Sequence, residues 1–304
     1  MSNEDMNINA RRFFESRCIS TEMGLNKFVL EAAEIIELTN NEVNKLVGEN
    51  IDRLNDETVW SIVHDMYEKC YEFTGGALAT FIISHIASAE ALCRTAVESA
   101  VNLQYVTIGD DIGNVLGYLR EYIATERKQN RAWLNSVEKP GNSEHIKKYH
   151  RDLITNKDRS LDSYESSLRI AFAISGIDYD EYPGSWPNIF ERFSKIGNEI
   201  AYRTVYAALC SQAHNDPEDI LNNLIARASS NTTSEKAVQI ETYAFSLNMV
   251  LTSMMFYIEA SALYLGKYNI EVAKTFNPLF ERASTLTLEL QTSSRLTVAS
   301  LLAE

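Results

Sequence analysis

Two groups of side chains in this 304-residue chain combine the residue types and spacing that chemistry would need. The first is Arg94 and Glu98, one helical turn apart, with Glu90 a turn earlier. An arginine offers a planar, permanently charged fork that matches a carboxylate or phosphate. The second lies in 186–214, where Glu199, Arg203, Tyr206, Cys210 and His214 recur so that, at ~100° per residue, they fall within roughly 80° of arc on one helix. His214 would end that helix, where the dipole favours an imidazolium able to supply a proton or a hydrogen bond. His214, Tyr206, Arg94 and Glu98 are therefore the catalytic candidates, and Arg203, Glu199 and Tyr202 the ligand-binding candidates. Two readings fit. Either the stripes face each other across a cleft, or they form a buried network in which Glu90 or Glu98 holds Arg94 while Tyr206 and His214 satisfy one another or the backbone.

Other chemistries are poorly served. None of the five histidines has Glu three residues before it or directly after it, which removes the ligand patterns of di-iron helices and H-E-x-x-H zinc sites. His64-Asp65 reads as a helix-surface pair, and Gly109 to Gly117 follows a helix rather than a strand, so it is no phosphate loop. Cys18, Cys70, Cys93 and Cys210 form no C-x-x-C pair, which suits a reducing cytosol, and Cys210 has apolar neighbours that mark a packed thiol. No metal or cofactor is expected.

The elements that must position these residues are helices. With 12 Gly and 5 Pro the chain has too little turn chemistry for a sandwich or barrel. The expected fold is all-α, a multi-helix bundle with a long projecting helical hairpin. Residues 1–12 read as a solvated tail, followed by a helix from Gly24 to Leu38, a short one over 42–54, and one that Asn55 caps and Gly75-Gly76 ends. The helix carrying Arg94 and Glu98 then runs from Ala77 to Tyr105. The hairpin has arms Ile112 to Val137 and Ser143 to Ser175 around Pro140-Gly141-Asn142. Ser185 and Pro187 start the helix through 186–214. A short helix from Pro217 to Ser229 follows, and then an apolar one that Thr232 and Glu235 start as a capping box. Asn277-Pro278 restarts a final helix to Leu302. The implied division is an N-terminal extension, 1–55, a core, 56–268, that includes the hairpin 111–175, and a C-terminal segment, 269–304.

A net charge of −14 disfavours a general nucleic-acid or anionic-membrane binder. Residues 120–159 reverse the balance, with ten Lys/Arg against six Asp/Glu, so the hairpin is where RNA, a protein partner or a second copy would dock. The N-terminus lacks an apolar signal segment, and the uncharged run from Thr242 to Ile258 is shorter than the ~20 residues of a membrane span. A cytoplasmic protein with no membrane partner is expected.

Arg94-x3-Glu98, the hairpin, and then Trp186, Ile196-Gly197, Tyr202, Tyr206, Ser211 and His214 together resemble a group of bacterial helical domains of unassigned function, over about Gly76 to Pro217. The resemblance implies a helical fold with a shared polar centre. More distantly the arrangement is similar to the HEPN class, many of whose members are RNases of toxin and phage-defence systems. Their Arg followed four to six residues later by His is absent here. The function expected is ligand sensing or interaction, in stress or phage defence. A metal-independent RNase using His214, Tyr206 and an arginine, or an oligomerisation scaffold, are the alternatives.

Overall fold

Helical periodicity in the sequence becomes helix in the structure. The computed structural model describes residues 7–17, 26–212, 220–221, 224–225 and 232–303, and no strand occurs among them. Two compact units result. The first takes in residues up to Leu54, 63–108 and those from Ile189 on; the second takes in 55–62 and 109–188.

The first unit is built from α1 (Ile8–Ser16), α2 (Lys27–Leu54), α3 (Trp60–Ile82), α4 (Ile86–Thr107), α7 (Ile189–Lys195), a helical stretch over 199–212 called α8, α9 (Thr232–Lys267) and α10 (Ala273–Ala303). The α9 helix packs against both α4 and α10, with α2 alongside. Leu247, Val250, Leu251, Met254 and Tyr257 of α9 are buried there. Ser246, Ser253 and Ser261 recur on α9 at near-heptad spacing, fully buried, and Ser253 and Ser261 turn their hydroxyls back onto the carbonyls of Val250 and Tyr257. Small side chains with internally satisfied hydroxyls let neighbouring helices approach at little polar cost. Residues Lys236–Lys267 are long and apolar enough to cross a membrane, but two thirds of their most apolar window is buried inside the protein, as in a core helix.

Several boundaries differ from expectation. Part of the expected tail is α1, whose Phe13 and Phe14 are fully buried. The two helices expected over 24–54 are one, α2. Gly75-Gly76 lies inside α3 and ends nothing. A Cβ on Gly75 would collide with the Arg17 guanidinium, which crosses the helix there to reach buried Glu37 at 3.0 Å. The break comes eight residues later, where Ser84 adopts φ 65° and the His85 N–H bonds the Thr80 carbonyl. That is the left-handed helix end usually given to glycine. The last helix starts at Ala273 and carries Pro278 inside. The expected helix from Pro217 to Ser229 falls largely outside the described residues, apart from helical Ile220, Leu221, Leu224 and Ile225.

In the second unit, α5 (Asp111–Val137) and α6 (Glu144–Ile174) form the hairpin. Asn142 donates to the Ser136 and Val137 carbonyls, and Ser143 caps α6. Much of its basic charge is matched by acids of the same unit: Arg127 by Asp162 and Glu165, Arg151 by Glu138, Lys157 by Glu126, and Arg169 by Glu165 and by Asp180 of the loop that follows. Ser185 and Pro187 were expected to start a helix at Trp186, but the helix begins at Ile189, and the segment 183–186 is not part of it. It instead lies against α5, because Gly113 and Gly117 present bare backbone one turn apart; a Cβ on Gly117 would come within 2.5–2.7 Å of the Ser185 backbone. The Trp186 ring packs tilted against that of Tyr118, 4.8 Å between centroids, and Arg120 donates to the Tyr182 carbonyl.

Two predictions follow from this packing. Gly117→Ala should destabilise the protein by about 2 kcal/mol or more, as overpacking against backbone does, measured as a lower urea midpoint at unchanged m. The second concerns His64, which sits between Tyr67 and Tyr264 with Nδ1 3.0 Å from the Tyr264 hydroxyl oxygen. Burial lowers its pKa below the usual 6.5, against the opposing pull of Glu68 and Asp65. In the unfolded chain this histidine takes up a proton near pH 6.5, but in the folded chain it does so only at lower pH. Its contribution is therefore full above 6.5 and is lost as pH falls below it. The urea midpoint of the wild type should drop more steeply below pH 6.5 than that of His64→Gln.

Candidate functional site

Three elements of the first unit build the site. The α4 helix buries Cys93, Ala96, Val97 and Ala100, and this sets Arg94 and Glu98 on the edge of its apolar face, half-buried. Glu90, one turn earlier, turns fully inward and accepts a hydrogen bond from Ser246 of α9. It holds α9, not Arg94.

The chain from 186 to 212 was expected to be one helix, but it is broken. The α7 helix ends at Lys195, Gly197 takes φ 81°, the Asn198 N–H bonds the Phe193 carbonyl and the Gly197 N–H bonds the Ser194 carbonyl. This is a glycine C′ helix stop, and it re-aims the next helix. The α8 stretch then opens with Glu199–Ala201, passes through a π turn at Tyr202–Tyr206, and continues as Ala207–Gln212. The Ala207 N–H reaches the Tyr202 carbonyl, five residues back. A π turn spends an extra residue per turn, so side chains beyond it leave the register that a uniform α-helix predicts. Tyr206 is thereby buried at 4% exposure, while Glu199 and Arg203, predicted on the same stripe, are exposed.

At the crossing of α4 and α8 the Tyr206 hydroxyl donates to Glu98 Oε2 at 2.8 Å, and Arg94 Nη2 approaches the same hydroxyl at 3.5 Å. The Arg94 guanidinium lies 5.6 Å from the Tyr206 ring centroid, and its Nε is buried with no hydrogen-bond partner among the described residues. Arg192 of α7, 6% exposed, brings Nη2 to 3.9 Å from Glu98 Oε1. Burial, and then the hydrogen bond given to Glu98, raise the Tyr206 pKa far above the ordinary phenol value. The hydroxyl is therefore a donor at every physiological pH. The hydrogen bond to Tyr206 raises the pKa of Arg94, which stays cationic.

An aromatic wall backs the cluster. Phe193 is fully buried and touches Tyr202, Tyr206 and Phe256 with centroids 5.6, 5.6 and 6.2 Å away. Tyr202 stacks on Tyr206, and Arg203 lies over Phe190 and Tyr202 at 4.8 and 5.4 Å. The structure thus joins Arg94, Glu98 and Tyr206, sets Tyr202 beside them and leaves Glu199 and Arg203 on exposed surface. His214 lies outside the described residues. Arg192 is the addition. It stands seven residues before Glu199, so extending the stripe by one heptad would have found it. Cys70 and Cys93 are packed thiols whose pKa burial pushes up to about 12, and Cys210 is half-buried. Among the described residues no three His, Cys, Asp or Glu side chains gather as metal ligands would.

An all-helical protein with a half-buried Arg–Tyr–Glu crossing is the class these observations define. Residues 61–231 match a family of unknown function, DUF5677, and the chain belongs to that family. No curated protein and no solved structure matches it.

The Glu98–Tyr206 bond sets a measurable coupling. A double-mutant cycle of Glu98→Gln and Tyr206→Phe should show about 0.5–1.5 kcal/mol of interaction in urea unfolding, the range of an ordinary hydrogen bond rather than of one to a fully buried charge, because Glu98 is partly solvated. Strict additivity would mean that the two side chains do not hold the crossing together.

Proposed function

We propose that this chain is a ligand-sensing module and that the crossing of α4 with α7 and α8 is its recognition centre, taking an anionic group such as a carboxylate or phosphate. One observation carries the reading: the guanidinium groups of Arg94, through the Tyr206 hydroxyl, and of Arg192, at 3.9 Å, both stand beside the half-buried carboxylate of Glu98. The crossing therefore sets two planar cations close together in a half-buried setting, on a protein whose overall charge is strongly negative. Two such forks can hold a carboxylate or phosphate between them. The π turn supports the same reading, since such turns concentrate at functional sites. The distant likeness to HEPN domains supports stress or phage defence as the setting, and this rests on analogy of fold.

The test is thermal unfolding of the purified protein with inorganic phosphate, mononucleotides and small dicarboxylates. At least one class should raise Tm in a concentration-dependent way. The rise should vanish in Arg94→Gln and shrink in Tyr206→Phe, with both variants keeping the wild-type far-UV circular dichroism. The reading is overturned if no anion shifts Tm, or if Arg94→Gln responds like the wild type. Incubation with total RNA tests the rival activity: cleavage lost in Glu98→Gln, Tyr206→Phe and His214→Ala would make the centre a nuclease site instead.

A further inference from the structure

Helix α6 carries two seams. One faces α5 and holds the buried Ile154, Leu161 and Phe172. The other, on the opposite side, repeats every seven residues through positions 146, 153, 160, 167 and 174 and through 149, 156, 163 and 170, and every one of these positions is exposed. Its ends are large and apolar: Ile146, Tyr149 and Leu153 near the hairpin turn, Ile170 and Ile174 at the far end. Between them stand Asn156, Ser160, Ser163 and Ser167. Leu153 is 38% exposed and Ile174 83%. A two-helix hairpin needs one apolar stripe for its own packing. A second stripe, on a strict seven-residue repeat and open to water, has the form of a seam that packs against another helix.

We propose that this seam receives α6 of a second copy of the chain, in antiparallel orientation. Charge decides both the occupant and the direction. The arms run antiparallel, with Arg127 level with Asp162 and Glu165, so the turn half is 131–159, with seven basic against four acidic residues, whereas the base, 111–130 with 160–182, has eight acidic against four basic. Parallel pairing would set two basic ends together. Antiparallel pairing places each basic end beside the acidic half of the other copy, and it separates like ends by roughly 46 Å, the length of a 31-residue helix, several times the Debye length. The seam is also self-complementary in that direction. Tyr149 faces the partner's Ile174 and Leu153 faces the partner's Ile170, while Asn156, Ser160, Ser163 and Ser167 meet one another in the middle, where small side chains let the helices come close. A two-fold pair of this kind uses the same patch on both copies and closes on itself. The RNA and acidic-protein alternatives for the hairpin give no account of the apolar ends.

Sedimentation equilibrium on the full chain should show a monomer–dimer equilibrium in the micromolar range that weakens with added salt. Leu153→Glu with Ile170→Glu should raise the dimer dissociation constant by more than about tenfold, equivalent to ~1.4 kcal/mol, and leave far-UV circular dichroism unchanged. Single-cysteine additions read the orientation against the wild-type background. A mixture of Leu153→Cys and Ile170→Cys chains should form a crossed disulfide under mild oxidation, and Leu153→Cys alone should not. A monomer across that range, a dimer indifferent to the two Glu substitutions, or efficient Leu153→Cys self-crosslinking would each overturn the proposal.

Discussion

A phenol buried where two helices cross must give its proton to an acceptor, and Tyr206 gives it to Glu98. That bond ties α4 to α8, fixes which edge of each helix faces the other, and holds a carboxylate within reach of Arg94 and Arg192. Without an acceptor the buried hydroxyl would cost on the order of 1–3 kcal/mol, comparable to a sizeable share of a domain's net stability. The charges around it follow from the same geometry. Glu98 satisfies the phenol, while Arg94 keeps a buried Nε with no hydrogen-bond partner among the described residues.

The crossing depends in turn on how closely α4 and α9 can pack. Fully buried serines on α9 and alanines on α4 keep the side chains between the helices small, and Glu90 reaches across to Ser246. With Glu90 committed to α9, Glu98 is left as the carboxylate facing the two arginines. One acidic residue fastens the helix and the other serves the cluster, though both stand four residues from Arg94 in sequence.

Glycine is used here to admit a neighbour as often as to turn the chain. Gly75 makes room for Arg17, and Gly113 with Gly117 makes room for the backbone near Ser185. Four helices, α3, α6, α7 and α9, end in the same left-handed geometry, at Ser84, Gly176, Gly197 and Asn269. Only two of these stops are glycines. Glycine content therefore does not mark helix ends by itself: the stop read at Gly75-Gly76 falls at Ser84 instead, while Gly197, passed over inside an expected helix, is the one that divides α7 from α8.

The sequence alone determined the helical class, the hairpin arms to within a residue or so, and the pairing of Arg94 and Glu98 on one edge of a helix, because each depends on periodicity within a single element. It also carried the Tyr206 side of the crossing, since a polar residue bordering an apolar face must be paired or solvated. Tertiary structure decided the rest. The stripe through Glu199, Arg203 and Tyr206 assumed 100° per residue, and the π turn at Tyr202–Tyr206 sent Tyr206 inward while leaving Glu199 and Arg203 in solvent. Arg192 joined the cluster from across the break at Gly197. Whether a glycine ends a helix or admits a neighbour, and which way a helix is aimed after a break, depend on atoms distant in sequence, and no local pattern contains them.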